Sequence, residues 1–164
     1  MTKLLVVVDT ELNALDIDHI VQANNLLNQP ASSVDLLVCY DLPQPLLLKV
    51  LNSLALFDFN QAARELTRAE LGPITLRAQA EQIAGAGRQA LEGRGFEVDT
   101  QLHSGDPFRA VKALVQRTQP SQAIFITKPY PIEDSLNISW TNQARDALGL
   151  PVLHFHTGSP RLED

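Results

Sequence analysis

Short apolar runs with strand character recur along the chain, separated by segments with helical periodicity. The five runs are Leu4 to Val8, Val34 to Tyr40, Phe96 to Leu102, Ala123 to Thr127 and Val152 to Phe155. Several are almost continuously apolar, as strands are when a sheet buries both of their faces. Because alternating strands and helices are typical of βαβ units, the sequence predicts an α/β fold around a parallel sheet.

Four helices are predicted between these strands, over approximately 17–27, 76–91, 107–118 and 138–148. In each of them apolar residues recur at helical spacing. Asp106 is predicted to cap the third helix, because its carboxylate accepts hydrogen bonds from free amides and Pro107 fits the first helical position. Gly93 and Gly95 are predicted to end the second helix, and Gly149 the fourth.

The length of the chain suits one folding unit. It has 164 residues, of which 45% are hydrophobic, so we expect a single domain, 1–164, with a sizeable core. Residues 42–69 interrupt the strand and helix alternation with a segment rich in leucine and phenylalanine. Since a linker would be polar, we expect this segment to pack on the domain as a helix or lid.

Charge and cysteine content limit the classes of partner. The formal net charge is −6, which disfavours a nucleic acid or a membrane surface as the main partner. The apolar run before Asp9 is too short for a signal peptide or a transmembrane helix, so we expect a cytoplasmic protein. The lone Cys39 excludes an internal disulfide and a multi-cysteine metal site.

Three local strings occur in an order that resembles the universal stress protein family. The first strand ends in Val8-Asp9-Thr10, Gly105-Asp106-Pro107 follows the third strand, and Leu150-Pro151-Val152-Leu153 enters the last. The resemblance extends from about Lys3 to Phe155. It implies a Rossmann-like, adenine-nucleotide α-hydrolase-like fold: an open five-stranded parallel sheet in the order 3-2-1-4-5, with helices on both faces. It also implies a homodimer, which we expect to form through the last strand because that strand is a sheet edge.

The loop after the fourth strand departs from the family pattern. ATP-binding members carry Gly-x2-Gly-x9-Gly-(Ser/Thr) there, whereas residues 127–139 of this chain contain no glycine. Pro129 and Pro131 cannot donate amide hydrogens to phosphate, and Glu133 and Asp134 would repel it. Only Ser139 aligns with the terminal serine or threonine of the motif. We therefore expect no cofactor: ATP and AMP are disfavoured. The strand end at Asp9 and Thr10, on the adenosine side, is less affected, so we expect adenosine or AMP to bind better than ATP.

The candidate ligand crevice lies where the strand order reverses, between strands one and four. This position would bring Asp9 and Thr10 towards Thr127 and Lys128. In the family the aspartate that ends strand one approaches adenosine, so the resemblance gives Asp9 that role. Alternatively, Asp9 caps the following helix or pairs with Lys128. Lys128 either neutralises an anion or is a solvated loop residue.

Asp41 ends strand two beside the same rim, as a ligand contact or as a turn residue. His154 and His156 are two residues apart on the last strand and so share a face. They supply two nitrogens, fewer than a zinc site needs. His103 lies near Asp106 in sequence, but no nucleophile motif accompanies that pair.

These observations favour a universal-stress-like regulatory or stress-response protein that is not an enzyme and does not bind ATP tightly. A small-molecule ligand remains compatible with the crevice. One alternative is an atypical adenine-nucleotide binder that uses Asp9, Lys128 and Ser139. Another is a metal-dependent hydrolase that uses the histidines with Glu133 and Asp134.

Overall fold

The computed structural model describes residues 2–40, 73–104, 107–128 and 134–158. In these ranges the elements are β1 Lys3–Val8, α1 Ala14–Asn25, β2 Ser33–Tyr40, α2 Pro73–Glu92, β3 Glu97–Ser104, α3 Pro107–Thr118, β4 Gln122–Thr127, α4 Asp134–Leu148 and β5 Val152–His156. Segment 42–69, Asp41 and the predicted cap Asp106 lie outside the described residues.

The five strands form one parallel sheet in the order β3-β2-β1-β4-β5. The predicted fold class and strand order are therefore confirmed. The chain moves outward from β1 to β2 and β3, then returns to the other side of β1 for β4 and β5. This reversal places the carboxyl ends of β1 and β4 side by side, and it leaves β3 and β5 as the edges.

Two apolar layers cover the sheet, one on each face. On the α3/α4 face the buried residues come from the strands and these two helices: Leu5, Val7, Leu37, Cys39, Phe108, Val111, Leu114, Phe125 and Leu148 among them. On the α1/α2 face they include Leu4, Val6, Leu36, Ile17, Ile20, Ala80, Ala84, Leu91 and Phe155. Alternate residues of each strand thus enter opposite layers, as the pleat requires.

Element boundaries follow local chemistry. Helix α2 closes with Gly95 at a φ of +95° and with the amide of Phe96 donating to the carbonyl of Leu91 at 3.2 Å. Because Phe96 completes this helix end, β3 begins one residue later than predicted, at Glu97. Helix α4 begins at Asp134 rather than near Ile138, and α3 ends at Thr118 as predicted.

The first helix is capped by Asn13 and not by Asp9, so the capping alternative for Asp9 is wrong. Asn13 Oδ1 accepts the amide of Asp16 at 2.9 Å, and Asp16 Oδ2 accepts the amide of Asn13 at 3.0 Å. This reciprocal pair is a capping box. Asp9 lies too far before the first helical turn to serve its amides.

None of the helices in the described ranges combines the length and apolar character needed to cross a bilayer.

Candidate functional site

The reversal of strand order places the candidate site at the carboxyl ends of β1 and β4. Asp9 directly follows β1, and Thr127 ends β4. Asp9 Oδ1 accepts the backbone amide of Lys128 at 3.0 Å. This bond joins the two strand ends at the position where ligands bind in open α/β sheets. In this hydrogen bond Asp9 contacts the backbone of Lys128. The Lys128 side chain is exposed.

A row of five residues, polar except for Cys39, crosses the sheet at this end. Cys39 is in register with His103, and Thr127 with His156. Val8 is in register with Val38 and with Ile126, so the next residue, Asp9, comes between Cys39 and Thr127. We call the set His103, Cys39, Asp9, Thr127 and His156 the carboxyl-end row. The row lies on the same face of the sheet as the apolar α3/α4 layer, at the carboxyl-end boundary of that layer.

On β4 and β5, two residues of this row, Thr127 and His156, both contact the side chain of His154. Thr127 Oγ1 lies 2.8 Å from His154 Nε2, and both residues are buried. The His154 ring meets the His156 ring edge-on, with 4.8 Å between centroids. The two histidines thus share a face, as predicted. His156 Nε2 is buried without a hydrogen-bond partner in the described chain.

Asp9 also acts on the thiol beside it. Burial raises the pKa of Cys39 to about 12, and the negative charge of Asp9 contributes in the same direction. The thiol is therefore protonated at neutral pH, and only a thiolate is an effective nucleophile. Cys39 is a small apolar residue of the core.

The structure brings together three of the six predicted binding residues, Asp9, Thr127 and Lys128. Thr10, partly buried, follows Asp9 at the same strand end. Asp41 lies outside the described residues. Ser139 lies on α4, but its side chain is among those not described. The ligand roles of all six remain predictions.

Sequence reasoning missed a clasp between the start of α1 and the end of β5. Asp16 is fully buried. Its Oδ2 accepts the Thr157 hydroxyl at 2.6 Å, and its Oδ1 accepts the Gly158 amide at 2.9 Å. The Thr157 amide in turn donates to the carbonyl of Thr127 at 2.9 Å. This Asp16 clasp ties the start of α1 to the residues that follow β5 and, through Thr157, to the end of β4. Its only sequence signal was the Asn13-x-x-Asp16 spacing of the capping box.

An aromatic contact also joins α1 to β5. The His19 ring stacks on Phe155 of β5, with 4.5 Å between centroids and 13° between planes. His19 lies one helical turn after Asp16, so both side chains hold β5 against α1.

Metal-ligand geometry is not found in the described part of the chain: no group of three or more His, Cys, Asp or Glu side chains there is placed to hold an ion. Glu133, which the hydrolase alternative invoked, lies outside the described residues. Asp134 begins α4, but its side chain is not described.

Comparison with known proteins supports the fold. No protein-family model matches the chain, and no curated protein matches it. A universal stress protein family protein from Arabidopsis thaliana, solved with AMP bound, superposes with a TM-score of 0.50 at 11% sequence identity, covering 97% of this chain and 94% of that one. The hypothetical protein MJ0577 gives a TM-score of 0.49 at 18% identity, covering 96% and 97%. The chain has the α/β fold seen in the Arabidopsis universal stress protein.

Proposed function

We propose that this chain is a regulatory protein of the universal stress type, whose crevice binds a small ligand of the adenosine or AMP class and does not bind ATP tightly. The Arabidopsis protein of the same fold was solved with AMP bound. The fold therefore suggests the ligand class, and the residues of this chain must supply the specificity.

The position of Asp9 carries the proposal. Its carboxylate lies where the strand order reverses, and it accepts a hydrogen bond from the Lys128 backbone amide at 3.0 Å. A carboxylate is a strong hydrogen-bond acceptor with about four acceptor directions, and a ribose hydroxyl or an amino group is a suitable donor to it. The Asp16 clasp supports this arrangement by fixing the neighbouring strand end.

The loop sequence supports exclusion of a triphosphate. Backbone amides at a glycine-rich turn and a helix start are what bind phosphate groups in such folds. Residues 127–139 contain no glycine, and Pro129 and Pro131 have no amide to donate. Glu133 and Asp134 add negative charge beside the predicted phosphate position.

A binding role, rather than catalysis, also agrees with the state of the two candidate nucleophiles. The Cys39 thiol is protonated and 2% exposed. Thr127 is hydrogen-bonded to His154 in the arrangement of a nucleophile and its base, but their exposed fractions are 1% and 0%. A substrate in the crevice would not reach a hydroxyl enclosed in this way.

Calorimetric titration of AMP into Asp9→Asn tests the proposal. Asparagine keeps an oxygen that accepts the Lys128 amide, so the strand ends remain joined while the charge is removed. We expect the variant to bind AMP at least about tenfold more weakly, a loss of about 1.4 kcal/mol. Asp18→Asn, a carboxylate on α1 that pairs with Arg94 at 2.8 Å, is the matched control. Absence of AMP and adenosine binding to the unaltered protein, or equal binding by both variants, would refute the role of Asp9.

A further inference from the structure

The exposed side of α3 carries positive charge only. Arg109, Lys112 and Arg117 are exposed, and the helix has no carboxylate. Its apolar side is buried against the sheet. At 1.5 Å per residue the three cations span about 12 Å along the helix. We call these three residues the α3 basic face.

Most other cations in the described chain are paired. Four of them are held in ion pairs: Lys3 with Asp35 at 3.2 Å and with Asp99 at 3.6 Å, Arg77 with Glu81 at 3.3 Å, Arg88 with Glu92 at 2.8 Å, and Arg94 with Asp18 at 2.8 Å. No described carboxylate forms such a pair with the α3 basic face. Lys128 and Arg145, the remaining cations of the described ranges, occur singly on other elements. Unpaired positive charge is therefore concentrated on α3.

The stability of the helix does not account for two of the three cations. Arg109 lies in the first turn, where the helix dipole disfavours positive charge. Lys112 follows at i+3, and like charges at that spacing repel each other. The Lys112 ammonium lies 5.0 Å from the centre of the Phe108 ring, a contact that offsets part of this cost. Only Arg117, in the last turn, is placed where the dipole favours it.

We propose that the α3 basic face docks an acidic segment of a partner protein. Charge complementarity identifies the partner chemistry. Along the helix axis Lys112 lies about 4.5 Å from Arg109 and about 7.5 Å from Arg117. Both spacings are within one Debye length, about 8 Å at physiological ionic strength, so a segment with several carboxylates interacts with neighbouring cations at once. A nucleic acid fits less well, because three cations are fewer than the about six to ten phosphate contacts that a typical DNA-binding protein makes.

The test is binding of a fluorescein-labelled, glutamate-rich peptide, followed by fluorescence anisotropy at low salt. The test variant is Arg109→Gln/Lys112→Gln/Arg117→Gln, since glutamine is a good helix former. The matched control is Arg77→Gln/Arg88→Gln/Arg94→Gln, which changes the net charge equally at positions on and just after α2. Circular dichroism checks that both variants keep their helices. A single-stranded oligonucleotide of matched charge is the second probe.

We expect the unaltered protein and the control to bind the peptide, and the α3 variant to bind at least about tenfold more weakly. Binding should also weaken as salt is raised. No peptide binding at low salt, equal weakening in the two variants, or tighter binding of the oligonucleotide than of the peptide would each overturn the proposal. Self-association that the α3 variant abolishes would identify the acidic partner as a second copy and would support it.

Discussion

Asp16 is a fully buried carboxylate whose acceptor capacity is used by its surroundings. It receives the amides of Asn13 and Gly158 and the hydroxyl of Thr157. A buried charge is tolerated when such donors compensate its lost hydration. One residue thereby joins the start of α1 to the residues that follow β5.

Asp16→Asn should lower the free energy of unfolding by about 2 kcal/mol. The substitution keeps the size of the side chain but removes its charge and turns one acceptor into a donor facing other donors. Urea denaturation measures the effect. Asp18→Asn is the control, expected to cost less than about 1 kcal/mol because its pair with Arg94 is partly exposed. Equal effects of the two substitutions would contradict a stabilising role of the Asp16 clasp.

Cys39 should be unreactive in the native protein. With the pKa of its thiol raised to about 12, the thiolate fraction at pH 8 is on the order of a thousandfold below that of a free thiol, whose pKa is about 8.5. Because the folded-state pKa is raised, the associated stability is fully present below about pH 8.5 and is lost as the pH rises towards 12. A thiol reagent such as dithionitrobenzoate should label the protein rapidly only in denaturant. Rapid labelling of Cys39 in the native protein would contradict the burial and the raised pKa of its thiol.

At the scale of elements, β5 is an edge strand of the sheet in the described residues and pairs with β4. It is short, Val152–His156, and its alternate side chains enter the two apolar layers. An edge strand leaves backbone amides and carbonyls unpaired on one side, and a second edge can satisfy them across a two-fold axis.

We therefore expect the protein to form a homodimer through β5. Light scattering coupled to gel filtration should give about twice the chain mass. The outcome that would contradict this expectation is a monomer across the concentration range up to tens of micromolar.

Elements were predicted well because their signals are local. Short runs with strand character located all five strands to within about two residues, and several of these runs are continuously apolar because both faces of the strand are buried. The strand order required the family resemblance, because apolar runs do not reveal which strands are neighbours. The start of β3 was misplaced because Phe96 closes α2, a role that depends on packing.

The site was predicted less completely, because its contacts join distant segments. Asp9 and Thr127 could be placed together from strand order alone. The hydrogen bond from Lys128 to Asp9 uses a backbone amide, which every residue except proline has, so the sequence does not predict it. The Asp16 clasp joins residues more than a hundred positions apart, and the position of Cys39 between His103 and Asp9 follows from strand register.

At the scale of the whole molecule, the crevice and the α3 basic face are separate features of one sheet-based scaffold. The crevice lies at the carboxyl ends of the central strands, and the basic face lies on the outside of a helix that covers one side of the sheet. Ligand binding at the first and partner docking at the second can therefore be altered by different substitutions. The central claim concerns the crevice, because ligand preference there distinguishes the proposed function from that of an ATP-binding protein.

Calorimetry with adenosine, AMP and ATP on the unaltered protein tests that claim most directly. We predict that adenosine or AMP binds more tightly than ATP. Each approach of a phosphate charge to Glu133 or Asp134 at about 4 Å costs on the order of 4 kcal/mol at an effective dielectric near 20, before salt screening, and Pro129 and Pro131 supply no compensating amides. A micromolar dissociation constant for ATP that is lost in Lys128→Ala, but kept in the control Lys112→Ala, would contradict the account.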